Sequence, residues 1–256
     1  MIELKNICSG YGKNKIIDGI SFCIEKGKIT TIIGSNGCGK STLLKTVSGI
    51  LSPFSGEITL DKQDLFSMSK NSLAKRIAYL SQVRSLPDMT AYSLVLHGRF
   101  PHTGYPRRYS DKDKEIALSA MEQAGVLGYS SSPLSSLSGG TVQNVYIAMA
   151  LCRKTDYILL DEPCTYLDIT STVKLMKTLK KLCQDGKGIV TVMHDLPCAF
   201  TFSDKICVMK NGRLLMCDSP EKVYSSGVLN EAFGEVLHLC RTNDGYFYNY
   251  KNIQGD

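Results

Sequence analysis

Apolar residues in this chain follow two rhythms. Runs that alternate every second residue, or stay apolar over a few residues, predict strands. Runs with apolar positions three and four apart predict helices. Residues 1–30 and 54–62 carry short alternations broken by turn signals, Glu25-Lys26-Gly27 and Ser55-Gly56, the pattern of an antiparallel sheet. Lys28 to Ile33 and Arg76 to Leu80 read as further strands, and Ser41 to Ser48 as a helix stopped by Gly49. Between 85 and 135, Pro87, Pro101, Pro106 and Pro133 punctuate helix-like segments. There Ser110 and Asp113 have the form of a capping box. Ile116, Ala117, Ala120, Met121 and Ala124 then recur at helical spacing up to Gly125, a stripe read as core packing. From Tyr157 the rhythm becomes strand, helix, strand: Tyr157 to Leu160, Ser171 to Cys183, Gly188 to Met193. A hairpin from Ile206 to Cys217 follows, turning at Asn211-Gly212. Such alternation predicts a mostly parallel sheet wrapped by helices.

Composition narrows this little. A length of 256 residues suits one large domain or two small ones, and 43% hydrophobic with 21% charged content suffices for a buried core. No apolar run approaches the roughly 18 residues of a membrane helix. Met1 to Cys8 alternates like a strand and lacks a signal peptide's apolar core, so a cytosolic location is expected. The ten cysteines form no C-x-x-C pair and the histidines add no ligand-like cluster, which favours free thiols over a metal site. The net charge of +6 is modest and dispersed. Its one concentration is Arg99, Arg107 and Arg108 among His97, His102, Tyr105 and Tyr109, read as a solvated or protein-docking face rather than a nucleic-acid surface.

Chemistry enters at residues 34 to 42. Gly34, Ser35, Asn36, Gly37, Cys38, Gly39, Lys40, Ser41 and Thr42 fill every position of the phosphate-loop pattern G-x-x-x-x-G-K-[ST], between a strand and a helix. Glycines let successive N–H groups curl around phosphate oxygens, and the helix N-terminus adds its positive dipole end. Lys40 is expected on the β- and γ-phosphates and Ser41 on Mg²⁺. Cys38, beside Lys40 and near that helix N-terminus, is expected to be a reactive thiol.

A phosphate loop alone leaves kinases, GTPases, helicases and transport ATPases open. Tyr157-Ile158-Leu159-Leu160 ends in Asp161 and Glu162, placing one carboxylate for the Mg²⁺ shell and the next for the attacking water. Leu137-Ser138-Gly139-Gly140 opens another helix and makes a second anion-binding nest. One nucleotide does not need two nests from one subunit, so two chains sandwiching ATP are expected.

These residues together resemble the ABC (ATP-binding cassette) ATPase family over essentially the whole chain. Tyr11 matches its base-stacking aromatic, Gln82 its Q-loop and Leu137 to Gly140 its signature. Asp161-Glu162 matches its Walker B pair, Pro163 to Asp168 its D-loop, and His194 its switch histidine. The resemblance implies an α/β fold: a P-loop (RecA-like) core with an antiparallel β subdomain (about 1–84 and 152–256) and a helical subdomain (about 85–151). It implies catalysis by Glu162, His194 and Gln82, and Mg²⁺ held by Ser41, Gln82 and Asp161. ATP would lie on Tyr11 and residues 34–42, and on the partner's Ser138, Gly139, Gly140 and Asp168. Thr141 departs from the family's usual glutamine and shortens a side chain beside the partner's nucleotide.

Two functions follow. In the first, the chain energises a separate membrane permease from the cytoplasmic face of the membrane as a homodimer, with an extracytoplasmic binding protein choosing the cargo. Met89-Thr90, His97 to His102, Thr165 to Ile169, Met193 to Leu196 and Asp244 to Tyr248 resemble importers of iron–siderophore, heme and cobalamin. The same role for another substrate stays open, and the second is a non-transport ATPase on nucleic acid or ribosomes. Such proteins usually carry two cassettes, coiled-coil insertions or zinc modules, and this sequence has none of these.

Overall fold

The computed structural model describes residues 1–82, 86–104, 106, 108–165, 167–234, 238–242 and 245–249. Tyr105, Arg107, Tyr166 and Asp244, cited above, lie outside the described residues.

The N-terminal alternations pair as expected. β1 (Ile2–Tyr11) lies antiparallel to β2 (Asn14–Ile24). β3 (Ile29–Gly34) leaves for a second sheet and runs into α1 (Lys40–Val47). β4 (Ser55–Leu60) and β5 (Gln63–Asp64) complete a four-stranded sheet in the order β2-β1-β4-β5. Then come α2 (Lys70–Arg76) and β6 (Ile77–Leu80). Arg76, read as a strand residue, instead closes α2, and its Nε donates to Asp156 Oδ2 at 2.5 Å.

α3 (Ala91–His97) and α4 (Asp111–Gln123) form in the Pro-punctuated region, and α5 (Gly139–Cys152) follows it. The capping box of α4 is present with both hydrogen bonds, and Ala117, Ala120 and Met121 are buried in the core. Arg99 corrects the sequence reading. Its side chain is not on the surface: Nε donates to Asp113 Oδ1 at 2.8 Å and a terminal nitrogen donates to the Cys152 carbonyl at 3.0 Å. A guanidinium at the end of α3 thus ties α4 to the last turn of α5. A buried arginine needs such partners, because an unpaired buried charge is costly.

The C-terminal alternation supplies β7 (Tyr157–Asp161), α6 (Ile169–Gln184), β8 (Gly188–Val192), α7 (Leu196–Phe202), β9 (Lys205–Lys210) and β10 (Arg213–Asp218). α8 (Pro220–Ser225), α9 (Val228–Phe233) and a hairpin of β11 (His238–Thr242) and β12 (Gly245–Asn249) follow. The second sheet has the order β10-β9-β3-β8-β7-β6, parallel except for β10. Its middle strands are buried on both faces, which is why their sequences are apolar runs. Ile158 and Leu160 of β7 pack with the helices α3 to α6, whereas Tyr157 and Leu159 pack with α1 and the antiparallel sheet.

One cysteine expectation fails. Cys207 and Cys217 face each other across β9 and β10 and are joined as a disulfide, so the ten thiols are not all free.

Candidate active site

Four neighbouring parallel strands end at one edge of the six-stranded sheet. β3 runs into the phosphate loop, and β8, β7 and β6 lead to His194, to Asp161-Glu162 and to Gln82. Ligands bind outside the carboxyl ends of such strands, because connecting loops and helix N-termini converge there. The register makes the convergence specific: Asp161 pairs with Val192, and Ile32 of β3 pairs with the same Val192. Residues far apart in sequence therefore leave the sheet at one level. They enclose a cleft of about 430 Å³ lined by Ile16, Asn36, Gly37, Lys40, Ser41, Gln82, Glu162 and His194.

The phosphate loop is shaped by its glycines and by a distant hairpin. Gly39 precedes α1 with φ of 103°, and a Cβ there would meet an Ile17 methyl at 2.8 Å. A Cβ on Gly34 would run into the Met209 carbonyl of β9. The Asn211-Gly212 turn braces the loop directly, since Gly212 N–H donates to the Cys38 carbonyl at 3.0 Å and Asp18 N–H donates to the Gly212 carbonyl at 2.8 Å. Lys40 Nζ donates to the Gly34 and Ser35 carbonyls, each at 2.9 Å, which holds a buried ammonium over the loop.

Two carboxylates with different surroundings follow β7. Asp161 is buried, accepting from Ser41 Oγ at 3.0 Å and from the Tyr79 hydroxyl at 3.2 Å. Burial pushes its carboxyl above the ordinary range, against the pull of those two donors. Glu162 sits in left-handed backbone with φ of 51°, a conformation a glutamate seldom adopts. Strain of this kind clusters at functional sites. Gln82 Nε2 donates to its Oε2 at 2.5 Å, Thr165 Oγ1 donates to the same oxygen at 3.2 Å, and His194 Nε2 lies 2.6 Å from Oε1.

The other expected residues lie elsewhere. Tyr11 is exposed at the end of β1, its hydroxyl accepting from Lys45 Nζ at 3.2 Å, and Ile16 rather than Tyr11 lines the cleft. Ser138 caps α5 by accepting from Thr141 N–H at 3.3 Å, and its Oγ lies 2.9 Å from the Thr141 hydroxyl. Ser138 and Gly139 are exposed, and neither they nor Gly140 line the cleft of their own chain. Asp168 caps α6, accepting from Ser171 N–H and Oγ at 2.8 Å each. Cys38 overturns its expectation: the side chain is buried, and that burial pushes the thiol up despite the nearby Lys40. Sequence reasoning missed Tyr79, whose only cue was its place on the strand leading to Gln82.

Strand edge, glycine loop, buried lysine and paired carboxylates define a phosphate-loop nucleotide hydrolase. The ABC transporter family profile matches residues 17–165, and this chain belongs to that family. It is an ATP-binding, ATP-hydrolysing cassette of the family. It is 38% identical over 252 residues to the iron(3+)-hydroxamate import ATP-binding protein FhuC of Bacillus subtilis (strain 168), covering 96% of this chain and 94% of that one. It is 34% identical to the ferric enterobactin transport ATP-binding protein FepC of Escherichia coli (strain K12), covering 88% of this chain and 84% of that protein. Among solved structures it is similar to dimeric MJ0796, a bacterial ABC transporter cassette, at 30% identity and a TM-score of 0.76, covering 86% and 99% of the two chains. Among the described residues no helix is long and apolar enough to cross a membrane.

Proposed function

We propose that this chain is the ATPase subunit of an importer for an iron chelate, siderophore or heme, or for cobalamin, working from the cytoplasmic face through a separate permease served by an extracytoplasmic binding protein. The observation that carries the cargo is similarity at nearly full length to ATP-binding proteins named for iron(3+)-hydroxamate and ferric enterobactin.

Within the site, residues 34–42 cradle the phosphates with Lys40 on the β- and γ-groups, and Tyr11 stacks on the base. The donors Ser41, Asp161 and Gln82 are a hydroxyl, a carboxylate and a carboxamide, the oxygen ligands that a hard cation such as Mg²⁺ takes. When bound, the ion neutralises phosphate charge. Glu162 orients the attacking water and takes its proton. His194 contacts the γ-phosphate, and Gln82 couples the water to the helical subdomain, assigned to residues 85–151. The nest Ser138-Gly139-Gly140 completes the site of a second copy, and Asp168 links the two sites. Permease contacts fall on the helical subdomain after Gln82, away from the buried Arg99.

Deleting the gene in its own host tests the cargo. Growth should fall when a siderophore, heme or cobalamin is the limiting source, and the wild-type gene should restore it while the Glu162→Gln gene should not. Unchanged growth on all three, with no redundant importer, overturns the cargo and leaves the ATPase standing.

A further inference from the structure

The C-terminal hairpin folds back onto the loop that carries His194. The Tyr246 ring packs against Phe200 of α7 with centroids 5.1 Å apart, and against Tyr224 of α8 at 5.7 Å. This apolar seat delivers Tyr248, two residues further along β12 and on the same face. The Tyr248 hydroxyl accepts from Leu196 N–H at 2.8 Å and donates to the His194 carbonyl at 3.4 Å. The first bond has ordinary length and the second is long.

The first turn of α7 explains why that hydroxyl matters. A helix leaves its first N–H groups without partners inside the helix. Here Cys198 N–H donates to the Asp195 carboxylate at 3.2 Å, Ala199 N–H donates to the Asp195 carbonyl at 2.9 Å, and Pro197 has no N–H. Leu196 N–H is left over in a buried residue, and Tyr248 satisfies it. One hydroxyl, able to donate and accept at once, therefore fixes the peptide groups on both sides of Asp195. The residue before Asp195 is His194, whose ring meets Glu162.

We propose that Tyr248 is a positioning residue for ATP hydrolysis, holding the backbone of the His194 loop so that the imidazole stays aligned with Glu162. The inference rests on the reading of His194 as the γ-phosphate contact. It assigns work to a segment well beyond the matched region 17–165.

Three variants of the full chain test it: Tyr248→Phe, Phe247→Ala as a control on the exposed neighbour, and His194→Ala. Tyr248→Phe should lower kcat about threefold to tenfold, the scale of one net hydrogen bond. The KM for ATP should stay put, the thermal midpoint should fall by a few degrees because one buried N–H loses its partner, and the Leu196 amide should exchange faster with solvent. Phe247→Ala should change none of these. A slow His194→Ala with wild-type kcat in Tyr248→Phe overturns the inference alone, as does a raised KM or an equal loss in Phe247→Ala. Wild-type turnover in His194→Ala overturns the reading of His194 itself, and this inference with it.

Discussion

His194 Nε2 lies 2.6 Å from Glu162 Oε1, joining the ends of β8 and β7 through two side chains. With Gln82 and Thr165 on the other oxygen, the carboxylate is held from both sides. The position of Glu162 is therefore a property of three loops together, which fits a group that must meet one water at one angle.

Glu162→Gln keeps the shape but turns one acceptor oxygen into an N–H donor and removes the proposed proton acceptor. Turnover should fall by on the order of 10²-fold or more while ATP binding persists. An ATP-bound dimer should accumulate on size-exclusion chromatography. Normal turnover would remove Glu162 from the chemistry.

Cys38 should be slow to alkylate in the folded protein, because burial disfavours the thiolate that a maleimide needs. Peptide mapping after brief labelling near neutral pH should find Cys38 unmodified in the native protein and modified after denaturation. Rapid native labelling that MgATP blocks would restore the reactive thiol expected from its neighbours in sequence.

Hydrolysis should need two chains, since Ser138 and Gly139 are exposed outside the cleft of their own subunit. Specific activity of the free cassette should rise more than linearly with concentration. Excess Ser138→Arg protein should poison the wild type through mixed dimers. Activity that is independent of concentration and indifferent to the variant would point to a self-sufficient monomer.

Arg99 and Asp113 set an acid limit. Hydrogen bonds from Ser110, and then from Arg99, hold the Asp113 carboxyl down at about 2, below its ordinary 3.8. A carboxyl depressed in the fold stabilises it above the unfolded value, and that contribution is lost as pH falls from about 3.8 towards about 2. Arg99→Ala should destabilise the protein by roughly 1–3 kcal/mol, the scale of a lost charge-assisted hydrogen bond, because Asp113 is only partly buried and keeps Ser110. It should also flatten this acid limb in urea unfolding followed against pH. An unchanged limb would assign the depressed carboxyl to Ser110 alone.

Much of this architecture is local in origin and could be read from the chain. β7 betrays itself because a strand covered on both faces must be apolar throughout, and the phosphate loop because only glycines survive its close approaches. What escaped depends on neighbours the sequence does not announce. Arg99 looked like a surface cation because its partners, Asp113 and the Cys152 carbonyl, arrive only when α3, α4 and α5 pack. Cys38 carried local signs of reactivity, and tertiary burial reversed them. The disulfide was hidden by register. A regular hairpin from Lys210↔Arg213 would set Met216 opposite Cys207, but a bulge between Leu214 and Met216 brings Cys217 there instead. Tyr79 and Tyr248 act through single hydroxyls, which leave no mark on hydrophobic periodicity.

The brace between Gly212 and Cys38 has a consequence for synthesis. The phosphate loop leaves the ribosome well before the segments that brace it, since β3 is flanked by β8 and β9, and the turn that supports the loop closes at residue 212. The emerging chain thus carries the nucleotide-binding motif long before it owns a nucleotide-binding site, and ATP cannot template its early folding. Nascent chains stalled with residue 200 exposed should retain no ATP analogue, whereas those with β10 exposed should retain it.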